Sequence, residues 1–157
     1  MTDEDHDPDS SDAMLRNMLG YAWLALTFSL ALHVIDEADH DFVAVYRPIV
    51  ALAHNYTPFL PVPDFPFAGW LVGLALIVFA LLSLSPLAFC GGRWIRGASY
   101  VLAALMAINA LEHCLGTLHS NRPEPGTWSA LLLMVAAAWL FVAARRTTPG
   151  HHFPLSP

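Results

Sequence analysis

The sequence predicts an all-α protein: a four-transmembrane-helix bundle with a short interfacial or re-entrant helix in its first outer loop. Two observations carry that prediction. With 56% hydrophobic and 13% charged residues in a chain of 157, and a mean hydropathy of +0.51, the composition is too apolar for an ordinary soluble domain. The few charges are also unevenly spread, leaving four long stretches without any.

Residues 1–12 hold six acids (Asp3, Glu4, Asp5, Asp7, Asp9 and Asp12) and almost nothing apolar, so they read as a disordered acidic tail. A signal peptide would instead open on a basic region and close on small residues. Nineteen residues from Asn17 to Ile35 carry no formal charge, close to the ~20 that a helix needs to cross a bilayer core. The first span is therefore placed at about 14–35. The connection from Asp41 to Phe65 is too broken to cross, with Pro48, Pro58, Pro61 and Pro63 in it, and Phe42–Ala53 reads as the short helix covering the outer face.

Between Asp64 and Arg93 lie 28 uncharged residues, giving a second span at about 66–89 with Pro86 near its end. Gly69 and Gly73 supply a small-xxx-small pair suited to close helix packing in lipid. Arg96 and Glu112 bracket only 15 uncharged residues, so the third span, about 97–118, must accept polar groups near its far end. Glu124 and Arg145 bracket 20, and the fourth span, about 126–144, has Trp128 at one end and Arg145–Arg146 at the other as interfacial anchors. Residues 13–146 thus form one membrane domain, and 147–157, including His151 and His152, a second loose tail.

An even number of crossings puts Arg16, Arg93, Arg96, Arg145 and Arg146 on one face and Arg47 and Arg122 on the other. Five against two predicts cytoplasmic termini for a protein integral to the inner (cytoplasmic) membrane. Beyond residue 12, seven acids balance seven arginines, so the net charge of −6 belongs to the tail. With no basic stripe, nucleic-acid binding is excluded. Cys90 and Cys114 match no zinc or redox spacing, and the topology sets them at opposite faces, which argues against a disulfide.

The polar residues that remain are concentrated. The first span ends in His33-Val-Ile-Asp36-Glu37-Ala-Asp39-His40, where Glu37 and His40 lie within about 40° of His33 around a helix and Asp36 about 60° to the other side. The third ends in Asn109-Ala-Leu-Glu112-His113-Cys114, with Asn109, Glu112 and His113 on one arc and Ala103, Ala107 and Ala110 on another face. Because these two spans run parallel, both clusters reach the same, outer, end of the bundle. Ionisable groups there cost about 2.5–3.5 kcal/mol each to insert, which pairing or metal coordination offsets.

Imidazole and carboxylate on facing helices are ligands for zinc, iron or manganese. Only Glu37-Ala-Asp-His40 forms a Glu-x-x-His motif, and five histidines between 33 and 119 are too few for a histidine-box enzyme, so a single divalent metal fits better than two. His33, Glu37, His40 and His113 are the expected ligands, Glu112 and Asp36 the proton-moving groups, and Asn109 and His119 the orienting second layer. Such a site suits oxidation, isomerisation or hydrolysis of a lipid-soluble substrate entering sideways. Three alternatives stay open: a metal-free Glu/His acid–base site, haem held by His33 and His113, and a transporter or assembly subunit, with an oligomer needed for any transport path.

His33-Val-Ile-Asp36-Glu37 and Asn109-Ala-Leu-Glu112-His113 together resemble the signatures of the HXXEE-motif family of small bacterial integral membrane proteins, over roughly residues 14–145. Asp36 stands where the family motif has Glu, keeping the charge but shortening its reach by one methylene. The resemblance implies a shared polar site without naming its chemistry.

Overall fold

The computed structural model describes residues 8–56, 59 and 66–147. They form five helices: α1 (Pro8–Asp39), α2 (Phe42–Tyr56), α3 (Phe67–Cys90), α4 (Arg93–Ser120) and α5 (Thr127–Arg146). Four of them, α1, α3, α4 and α5, are long and apolar enough to cross a membrane, and α2 is the short helix of the first loop. The protein is thus an all-α bundle with four candidate spans.

Helix α1 begins earlier than composition indicates, at Pro8, whose fixed φ suits the first turn of a helix. Residues 1–7 of the acidic tail, and 148–157 with His151 and His152, lie outside the described residues. The third span also extends further, to Ser120. Helix α3 continues through Pro86: the Leu82 carbonyl that this proline cannot serve accepts a 2.7 Å hydrogen bond from the Ser85 hydroxyl. Thr27, Ser29, Ser83 and Ser99 likewise donate to carbonyls one turn back, at 2.8–2.9 Å, which satisfies hydroxyls that lipid would leave unpaired.

Helix α1 packs against both α3 and α5, and α5 packs against α4, whereas α3 and α4 barely meet. The spans are therefore arranged as an arc in the order α3, α1, α5, α4. More than half of the α1 span is buried and nearly half of α5, against under a tenth of α3. Small residues make the central contacts, with Ala130, Ala137, Ala143 and Ala144 of α5 and Ala103 and Ala110 of α4 all buried.

The expected Gly69–Gly73 contact is not among the packed surfaces: a side chain at Gly73 would meet nothing within 4 Å, and one at Gly69 only Pro66. The close approach on α3 is made instead by Gly20 of α1, which lies under the Phe89 ring where a Cβ would collide. The buried Trp23 indole adds a 2.9 Å hydrogen bond to the Leu81 carbonyl.

Candidate metal centre

At one end of the bundle, three side chains from two helices converge. His33 and Glu37 are one turn apart on α1 and His113 is on α4; they are 1%, 4% and 7% exposed, and their ligand atoms all lie within 4.8 Å of one another. Glu37 Oε1 is 3.1 Å from His113 Nε2 and 3.6 Å from His33 Nε2. Zinc-type bonds of about 2.0–2.2 Å in a tetrahedron put neighbouring ligand atoms about 3.3–3.6 Å apart, close to these two separations. The His33 and His113 rings meet edge to face, 4.7 Å between centroids and 84° between planes.

Each imidazole is oriented by a partner behind it. Ser129, in the first turn of α5, gives its hydroxyl proton to Asp36 Oδ2 at 2.5 Å, so its oxygen accepts from His33 Nδ1 at 2.9 Å. With the Nδ1 proton committed, the lone pair of His33 lies on Nε2, which is buried and has no hydrogen-bond partner among the described residues. The His113 ring is hydrogen-bonded to the backbone of Pro125, which can only be its carbonyl. Metal-binding histidines characteristically have this outer support, which fixes tautomer and ring plane.

The first turn of α5 closes the site from above. Gly126 has φ +82°, a left-handed conformation that glycine adopts without strain, and a Cβ there would lie 2.9–3.0 Å from carbons of Glu37, His33 and His113 together. The turn is pinned by Thr127, whose hydroxyl donates to the Glu124 carbonyl at 2.7 Å, accepts from the Glu124 amide at 3.0 Å and lies 2.7 Å from the Thr117 hydroxyl. Asp36 completes it by accepting the Ser129 amide at 3.2 Å, a carboxylate placed at the helix N-terminus where the dipole favours it.

Of the residues singled out from sequence, His33, Glu37 and His113 are brought together and the others are distributed around them. His40 is exposed, with Nδ1 2.8 Å from the Asp36 carbonyl, because α1 ends at Asp39 and the helical projection that aligned His40 with His33 stops with it. Asp36, expected to move protons, is turned to Ser129, whose hydroxyl and amide it accepts. Asn109 sits against the His33 ring, with its buried amide within hydrogen-bonding reach of the imidazole. Glu112 and His119 are exposed on α4, flanking the arc that holds Asn109 and His113, and both line a neighbouring cavity of about 430 Å³ that opens beside His113.

Sequence reasoning missed Ser129 and Gly126. Neither carries charge, and both fall in the stretch read as an anchored apolar span; the available signal was a glycine followed by Thr127-Trp-Ser129 ahead of the apolar run, a helix start. The haem alternative does not fit, since rings 4.7 Å apart with both Nε2 atoms turned to one carboxylate leave no room for a macrocycle between them. No family model matches the chain, and neither a curated protein nor a solved structure matches it.

Proposed function

We propose that this chain is a membrane-embedded enzyme whose centre is a single divalent metal ion held by His33, Glu37 and His113, acting on a lipid-soluble substrate. The observation that carries the reading is the buried, unpartnered His33 Nε2, held by the Ser129–Asp36 relay towards the point it shares with Glu37 and His113. Two histidines and one carboxylate form the set found in catalytic zinc sites and in non-haem iron(II) sites, both of which keep coordination positions open. When bound, such an ion supplies Lewis-acid or redox chemistry. The protein's own part is to orient the two imidazoles through Ser129 and Pro125, to exclude bulk water with Gly126 overhead, and to offer Glu112 at the mouth of the outer cavity as a proton acceptor in contact with solvent.

The same reading places the chain in the inner membrane with the site on the outer side, supported by the five arginines at the opposite end of the spans. Membership of the HXXEE-motif family is supported by the meeting of His33 and Glu37 from one signature with Asn109 and His113 from the other. A metal-free variant of this function would rest on the 3.1 Å Glu37–His113 pair as a proton-transfer couple.

Elemental analysis by inductively coupled plasma mass spectrometry, on untagged protein in mild detergent, decides between them. The expected result is near-stoichiometric zinc, iron or manganese in the wild type and its loss in both His33→Ala and His113→Ala. A folded wild type that holds no metal, even after reconstitution with each ion, overturns the metal reading.

A further inference from the structure

Five of the seven basic residues stand at the end of the bundle away from the trio, and all seven are arginines. The fold draws the five together. Gly91, the C-cap of α3, has φ +69°, and the Arg16 stem of α1 occupies the space a side chain would take: a Cβ there would lie 2.8 Å from Arg16 Cγ and 3.4 Å from Thr147 Cγ2. Thr147 directly follows Arg145 and Arg146, and its carbonyl accepts from Arg96 Nη1 at 3.0 Å, with Arg93 one turn earlier on α4. Parts of four helices thus bring Arg16 and Arg96 to the neighbourhood of one buried residue, Thr147.

The protein does not answer these charges itself. Every ion pair among the described residues joins a histidine to an acid, and none involves an arginine, although Asp12 lies one turn before Arg16. All seven acids beyond residue 12, from Asp36 to Glu124, fall at the site end. The bond to Thr147 uses one of the five N–H donors that a guanidinium carries, roughly a fifth of its capacity. Arg16 and Arg96 are half-buried, and Arg93, Arg145 and Arg146 are exposed. Trp94, exposed between Arg93 and Arg96, sets this end at the level where a bilayer's headgroups lie.

A half-buried cation without a carboxylate calls for a counter-ion. At headgroup level the counter-ion at hand is a phosphodiester, whose two free oxygens match the fork of a guanidinium as they do not match an ammonium. A choline head cancels that negative charge within the lipid, and a glycerol head leaves it for the protein. We infer that this end of the bundle is a headgroup site for an anionic phospholipid, its phosphodiester held by Arg16 and Arg96 within the field of Arg93, Arg145 and Arg146.

The test is native mass spectrometry of the full, untagged chain in mild detergent, offered equal amounts of dioleoylphosphatidylglycerol and dioleoylphosphatidylcholine. Retention of the glycerol lipid is expected to exceed that of the choline lipid by about 25-fold, a factor of about five for each of two arginines near the membrane surface. Arg16→Gln, which removes no hydrogen bond within the described residues, should lower that preference about fivefold, and Arg16→Gln with Arg96→Gln should bring it near unity. Arg122→Gln, at the other end, should leave it unchanged. If the acidic segment of residues 1–12 neutralises the arginines, both lipids are retained alike, and that result overturns the inference. So does a preference that survives the double variant, one lost equally in Arg122→Gln, or displacement of the lipid by inorganic phosphate at the same concentration, which would mark a site for a free anion. Metal content plays no part in this readout, so its failure leaves the metal centre standing.

Discussion

The two ends of the α1–α5 pair are built to opposite plans. Away from the site, polar groups close on one another: the Thr147 hydroxyl donates to the Ala143 carbonyl at 3.0 Å, and the Thr147 carbonyl accepts from Arg96 Nη1 at 3.0 Å. At the site end, Asp36, Ser129, His33, Glu37 and His113 are just as well organised, yet among the described residues the buried His33 Nε2 meets no well-formed hydrogen-bond partner. A network satisfied throughout holds helices together; one that is ordered and still leaves a buried ring nitrogen unanswered is configured to receive something.

The sharpest way to break this difference is Gly126→Ala. The added methyl meets all three site side chains and forces a non-glycine residue to φ +82°. It should lower stability by about 1–3 kcal/mol, and metal retention should fall further than in any variant that leaves the trio's space intact, read by thermal melting with elemental analysis. Ser129→Ala comes next: it removes the group that sets the His33 tautomer and one partner of Asp36 but touches none of the three ligands. Metal affinity measured by chelator competition should drop about 10- to 100-fold with the fold retained. Arg96→Ala, at the closed end, should have the smallest effect. It loses one hydrogen bond of a half-buried side chain, about 0.5–1.5 kcal/mol in a melt, and should leave metal content unchanged. A large loss of metal from Arg96→Ala, or none from Ser129→Ala, would erase the distinction between the two ends.

The four spans were legible because lipid makes the sequence answer a simple question, where the charges are not. The pairing of His33 with Glu37 followed from helical spacing, and the approach of His113 from the parallel run of the first and third spans. His40 was misplaced by the same reasoning, since a periodicity argument holds only while the helix does and α1 stops at Asp39. The outward turn of Glu112 depends on which neighbours α4 has, and the arc order of the helices is a property of packing that no single span encodes. The Gly69–Gly73 pair shows the same limit: small residues permit a close contact without choosing the partner, and Gly20 made it with Phe89. Ser129 and Gly126 act through one hydroxyl and one absent methyl; the sequence marks them as a helix start, but what they touch depends on how α5 meets α1 and α4.

Helix α5 has 20 residues, about 30 Å at 1.5 Å per residue, which matches a hydrocarbon core of about 30 Å with nothing to spare. Its first turn is also the cover of the trio. The depth of the centre should therefore follow the shortest span and so membrane thickness: a thicker bilayer is expected to draw Gly126 and the trio beneath the headgroups, and a thinner one to leave them at the water line. Lipid acyl-chain length should thus set how wet this centre is.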